Sequence, residues 1–195
     1  ANAAQPATEL TATLLRANPD RDHIQGSANA QVILIQYGDY ECPCSAGFYS
    51  TIKAIPQPRR DQFCFVFRHF PVGRSSPGAR HAAEAAEAAA SQGKFWQMHH
   101  LLFENQRMLA DDDIARYSRA LGLNTPRLMR EVFNGTHASR VQEDIQFAKA
   151  NGITHSPTFF VNGKRCDGVL AFHTLLAEAA LPSAPRIRIP SAAFL

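Results

Sequence analysis

Two apolar runs stand out in the early part of the chain. VILIQY at 32–37 and FCFVFRH at 63–69 are built from β-branched and aromatic residues. Each is bounded by polar or glycine-containing stretches, so each reads as a buried strand. Between them, PCSAGFYSTIKAI places Phe48, Ile52 and Ile55 at the spacing of one helix face, and PQP at 56–58 ends the pattern. A strand, helix, strand order predicts a right-handed crossover with the two strands parallel. It also puts the helix start, and with it CPCS at 42–45, at the carboxyl edge of the first strand.

From Ser76 to Asn151 the pattern is helical throughout, with breaks expected at Gly93, around 106–111, at 122–125 and near Gly135. HAAEAAEAAA at 81–90 resembles low complexity but consists of strong helix formers, so it reads as helix and not linker. Asp111, ahead of Asp112 and Asp113, and Thr125, ahead of Pro126, read as helix caps. SPTFFVNGKRCDG then predicts a strand at 158–161, a two-residue Asn162-Gly163 hairpin turn and a second strand at 164–167. A last helix is expected at 171–180, and PSAPRIRIPSAAFL has no periodic apolar face, which suggests an extended arm. The expected division is an N-terminal arm or helix at 1–22, a core formed by 23–75 with 152–181, a helical insertion at 76–151 and a tail at 182–195.

With 195 residues, 45% of them hydrophobic, the chain can bury one good core. A net charge of +3 without any basic run gives no support to nucleic-acid binding. No apolar stretch reaches the length of about 20 residues that a membrane helix requires, so membrane insertion is not expected. The chain begins with Ala1, not Met, which leaves the compartment open: cytoplasmic as it stands, periplasmic if a leader has been removed. Four cysteines are too few for a disulfide framework. Cys64, inside FCFVF, reads as an inert buried thiol, and Cys166 as an incidental surface or edge-strand thiol.

Cys42 and its neighbours carry the candidate chemistry. A cysteine capping a helix faces free amides and the positive end of the helix dipole, an environment that favours the nucleophilic thiolate. Pro43 falls at the first helical position, where its missing N–H costs nothing. Cys44 points elsewhere, whereas Ser45, three residues beyond the cap, reaches back toward it. A Cys42–Cys44 disulfide would be strained and oxidising. Glu41 reads as a solvated turn residue with proton shuttling as the alternative, and His69 as a satisfied structural histidine. His99 and His100 are adjacent and cannot share a helix face, so no metal site is expected. Phe95, Trp96 and Phe103 read as core of the helical segment.

Taken together, GDYECPCSAGFY, FRHFPV, AAEAAEAAASQGKFWQMHHLLFENQ and SPTFFVNGKRCDG, with the helical block between them, resemble the DsbA-like branch of the thioredoxin superfamily. The resemblance covers about residues 23–180. It implies an α/β thioredoxin fold with an inserted all-helical subdomain, and a strand at 158–161 antiparallel to 32–37. It also implies that Cys42 is the attacking cysteine, that Pro157 is a cis-proline facing it, and that Ser156 offers main-chain hydrogen bonds to a bound thiol peptide. Pro43, Ser156 and Pro157 are then the substrate-binding set.

The sequence departs from that family at one important place. The family pattern is C-P-x-C, and here Cys44 fills the x position while Ser45 stands where the resolving cysteine belongs. Without that thiol, a mixed disulfide on Cys42 must be resolved by Cys44 or by an external thiol. Ser45 could still donate a hydrogen bond to the Cys42 sulfur. The expected function is thiol-disulfide exchange on protein or glutathione thiols through Cys42, Cys44 and Ser45. No cofactor is called for, and glutathione is a candidate co-substrate. The alternatives are a redox-inactive binding module and, ranked last, a glutathione transferase that uses its serine.

Overall fold

The computed structural model describes residues 16–27, 30–53, 63–71 and 77–166. Its sheet is formed by β1 (His23–Gly26), β2 (Val32–Gly38), β3 (Phe63–His69), β4 (Thr158–Val161) and β5 (Lys164–Cys166) in the order β1-β3-β2-β4-β5. β2 and β3 pair in parallel, as expected for strands joined by a crossover, while β1–β3, β2–β4 and β4–β5 are antiparallel. The helices are α1 (Pro43–Lys53), α2 (Pro77–Ala90), α3 (Phe95–Glu104), α4 (Asp111–Ala120), α5 (Thr125–Phe133) and α6 (Ala138–Ala150). Five of them lie between β3 and β4, with no strand among the described residues of that segment. The expected helix at 171–180, the tail and the PQP stop lie outside the described residues.

Alternation along β2 and β3 sorts the core into two layers. Val32, Leu34, Phe63, Phe65 and Phe67 join Phe48 and Tyr49 of α1 and the buried faces of α2 to α5. Ile35, Tyr37, Cys64 and Val66 face the other way, onto Val141, Ile145 and Ala148 of α6. The strands are therefore buried on both faces, which explains why they read as continuous apolar runs and not as alternating ones. Among the described residues no helix is long and apolar enough to cross a membrane.

Helices α2, α4, α5 and α6 stop in the same way. The amides of Lys94, Leu123, Thr136 and Ile153 donate to the carbonyls of Ala89, Ser118, Glu131 and Ala148, and the glycine before each takes a positive φ, as at Gly122 (68°). This closure satisfies carbonyls that a helix end otherwise strands, and glycine adopts it without a Cβ penalty. The helix starts differ from the sequence reading by one residue. Asn124, not Thr125, caps α5, its side chain accepting from Arg127 N–H at 3.0 Å, while Thr125 turns inward to Ser118. Ala110 precedes α4 without a side-chain cap, and Asp111, Asp112 and Asp113 occupy its first turn, where their charge complements the positive helix end.

β1 was not evident from the sequence. It is a short, half-polar edge strand, and a buried ion pair anchors the segment before it. Arg68 donates to both carboxylate oxygens of Asp22 at 2.9 and 2.7 Å and to Tyr37 Oη at 2.6 Å. Asp144 of α6 meanwhile accepts from His69 N–H and pairs with Arg21 and Arg140. Cys64 is buried as expected. Cys166 does lie on the edge strand β5, yet it is fully buried and not at the surface, because its side chain joins the α1-side core.

Candidate active site

The site forms where the chain leaves β2 and enters α1. Gly38 ends the strand against Phe67: a Cβ there would approach the Phe67 ring to 2.5 Å. Asp39 then shapes the turn, its carboxylate accepting from Glu41 N–H at 2.9 Å and its carbonyl from Cys42 N–H at 3.2 Å. Burial pushes the Asp39 carboxyl up from its ordinary value, with the charge of Glu41 adding to the effect and the Glu41 amide opposing it. The carbonyl of Cys42 accepts from Ala46 N–H, which makes Cys42 the cap of α1 and Pro43 its first residue. The reading of Cys42 as the residue ahead of the helix and Pro43 as its first position therefore holds.

Cys42 is partly exposed, Pro43 and Cys44 are exposed, and Ser45 is fully buried. The Cys42 thiol donates to the main-chain oxygen of Ser156 at 3.4 Å. The Ser156–Pro157 peptide bond is cis and lies in the loop entering β4. Ser45 Oγ lies 3.2 Å from Ser156 Oγ and accepts from Asp39 N–H at 3.4 Å. Among the described residues these are the partners of the Ser45 hydroxyl, so its link to Cys42 passes through Ser156. The structure thus gathers Cys42, Ser45 and Ser156, and leaves Cys44 on the solvent side of the helix start. None of the four cysteines forms a disulfide.

Two contributors were not recognised in the sequence. Gln106, just beyond α3, donates from Nε2 to the carbonyls of Tyr40 at 2.7 Å and Cys42 at 2.9 Å, tying the helical segment to the cysteine loop. Tyr40 Oη meets His99 Nδ1 at 3.0 Å inside the core, where burial holds the imidazole well below its usual range. Neither contact has a local signal, since both join residues about 60 positions apart. Phe95 and Phe103 are buried as expected, and Trp96 packs at the edge with its indole N–H on Ile24 O.

A family model described as thioredoxin matches residues 18–177. The chain belongs to the thioredoxin family. This thioredoxin-family chain is 40% identical over 168 residues to a protein named Na(+)/H(+) antiporter NhaA 1 from Mycobacterium sp. (strain KMS), covering 84% of this chain and 27% of that protein. It therefore spans about a quarter of the length of the curated relatives it matches. Among solved structures it is similar to oxidised BdbD from Bacillus subtilis, with a TM-score of 0.71 and 23% identity over 85% of this chain and 94% of that one. Alpha-DsbA1 from Wolbachia pipientis gives a TM-score of 0.71 at 17% identity, covering 87% of this chain and 96% of the other. At these identities the likeness establishes the fold alone, a thioredoxin-type sheet with five helices between β3 and β4.

Proposed function

We propose that this thioredoxin-family domain is a thiol-disulfide oxidoreductase of the DsbA-like kind that acts through Cys42. The observation that carries this reading is the placement of a partly exposed helix-capping thiol against the Ser156 carbonyl. In the first step the Cys42 thiolate attacks a substrate disulfide. A Cys42–substrate S–S bond forms, the substrate's own S–S bond breaks, and the departing sulfur leaves as a thiolate that takes up a proton. Once Cys42 has lost its S–H, the Ser156 oxygen is released to accept a main-chain N–H from a bound polypeptide. Pro43 and Pro157 border the site.

Resolution is the step in which this site differs from a two-cysteine one. Ser45 cannot attack the mixed disulfide, so the second thiolate is Cys44 or an external thiol such as glutathione. The part-buried Ser45–Ser156 hydroxyl contact also supports a second reading, in which the domain holds a thiol peptide without turning it over.

Glutathione mixed-disulfide formation and exchange with a model dithiol peptide, measured for wild type, Cys42→Ser and Cys44→Ser, test the proposal. The expected result is loss of both reactions in Cys42→Ser. Cys44→Ser should keep mixed-disulfide formation but resolve more slowly when no external thiol is present. Wild-type rates in Cys42→Ser would remove Cys42 from the mechanism. A wild type that forms the adduct without catalysing exchange would favour the binding module.

A further inference from the structure

Away from the cysteine loop, three potential ligands from three elements converge. His23 of β1, His69 at the end of β3 and Glu87 of α2 place their donor atoms within 4.8 Å of one another. Both Nε2 atoms address the same oxygen, Glu87 Oε1, at 2.8 Å from His23 and 2.9 Å from His69. The surroundings fix the rings. His23 stacks on Phe95 with centroids 3.4 Å apart, and His69 stands edge-on to Phe67 at 5.4 Å.

Glu87 is an unexpected residue at this place. Much of its helix buries alanines, and a carboxylate among them is costly unless something answers its charge. Arg68 is committed to Asp22, and Arg21 and Arg140 to Asp144. Among the described residues only the two imidazoles contact the Glu87 carboxylate. The carboxylate therefore has two imidazole nitrogens beside one of its oxygens. His69 Nδ1 is buried with no hydrogen-bond partner among the described residues.

We propose that His23, His69 and Glu87 bind a borderline divalent transition cation of the zinc type, with one coordination position left for water. Two imidazole nitrogens and one carboxylate oxygen suit such an ion, whereas magnesium and calcium prefer all-oxygen sites. Tetrahedral coordination at the usual bond lengths of about 2.0–2.2 Å separates ligand atoms by about 3.3 Å, so on binding the carboxylate withdraws by about half an ångström from its 2.8 and 2.9 Å contacts and the two imidazole nitrogens, which lie within 4.8 Å of each other, draw together. His23, whose side chain is 18% exposed, provides the route of entry, while Glu87 and His69 are 7% and 1% exposed. A bound ion would join β1, β3 and α2, and so clamp the N-terminal strand to the junction of sheet and helical segment. This site is independent of the role assigned to Cys42.

The thiols of Cys42 and Cys44 would compete for the same metals, so the test uses the full chain carrying Cys42→Ser and Cys44→Ser. Zinc is titrated by calorimetry, cobalt(II) by its visible spectrum, and unfolding temperature is read with and without metal. The expected result is one equivalent of zinc, a rise in unfolding temperature, and a cobalt spectrum of tetrahedral type without thiolate charge transfer. His23→Gln, at the sheet edge, should lower zinc affinity at least about tenfold while the metal-free chain retains its circular dichroism. Glu87→Gln should do the same, and calcium or magnesium should raise the unfolding temperature in none of these chains. Absence of stoichiometric zinc binding, or equal binding to the His23→Gln chain, would overturn the proposal and leave the cluster as a purely structural hydrogen-bond network.

Discussion

The thiol of Cys42 and the carbonyl of Ser156 meet at 3.4 Å although 114 residues separate them. Strand register produces this meeting. Tyr37 of β2 pairs with Thr158 of β4 in an antiparallel ladder, so the segment leaving one strand and the segment entering the other share a sheet edge. The sheet brings these two ends together even though five helices intervene between β3 and β4 in the chain. The site is thus assembled by the sheet, and the side chains that refine it come from elsewhere.

Gln106 is one of these. Its amide bridges the carbonyls of Tyr40 and Cys42, and Cys42 O retains Ala46 N–H if the amide is removed. Gln106→Ala should therefore destabilise the fold by only about 1–2 kcal/mol. Thermal unfolding should reveal this as a drop of roughly 2–8 °C. Alkylation of Cys42 followed by mass spectrometry should show a changed rate, since the loop would no longer be fixed to the end of α3. An unchanged alkylation rate would mean that the bridge supports folding alone.

Asp22 and Arg68 make a stronger claim on stability. Both side chains are fully buried, and the guanidinium meets both carboxylate oxygens. Asp22→Asn should cost about 3–5 kcal/mol, because it removes the counter-charge of a buried guanidinium. Adding Arg68→Met should recover part of that loss, and urea unfolding of the two variants side by side measures it. If the double variant is the less stable, the pair contributes more than charge compensation.

Tyr37 provides a pH-dependent prediction. Burial, opposed by Arg68, pushes its phenol up to about 12. The folded pKa lies above the unfolded one, so this contribution to stability is complete below about pH 10 and is lost as pH rises through about 12. Unfolding midpoints across that window should fall for wild type and fall less for Tyr37→Phe. Tyr40 and Tyr49 are raised as well, so a residual decline should remain. An identical slope in Tyr37→Phe would assign the alkaline loss to those other tyrosines.

What the sequence made legible follows from the range of the forces involved. The Asn162-Gly163 turn, with φ of 46° and 82°, and the helix stops at Gly93, Gly122 and Gly135 depend on a few consecutive residues, and these were readable. The cap at Cys42 was readable for the same reason. Thr125 was mistaken for a cap because Asn124 and Thr125 are both good capping residues, and only the contact with Ser118 shows which one turns inward. β1 was missed because HIQG has no apolar period and gains its order from pairing with β3. The Gln106 bridge, the Asp22–Arg68 pair and the convergence on Glu87 depend on tertiary proximity, and no spacing in the chain marks them.

Ser45 is the residue on which the proposed route of resolution turns. It is fully buried at the first turn of α1, with its oxygen against Ser156 Oγ and the Asp39 amide. Ser45→Cys changes oxygen for sulfur at an unchanged backbone position. It weakens both contacts and places a second thiol three residues beyond the capping Cys42, on the side of the helix start that reaches back toward the cap. A mixed disulfide on Cys42 then has an intramolecular attacker and no longer depends on Cys44 or on external thiol. Exchange with a dithiol peptide should become faster and insensitive to added glutathione, and it should survive Cys44→Ser in the same chain. Mass spectrometry of the oxidised variant should find a disulfide between Cys42 and the introduced thiol. If the variant instead accumulates the glutathione adduct at the wild-type rate of resolution, the first turn does not hold the two sulfurs within reach, and Cys44 or the external thiol remains the resolving group.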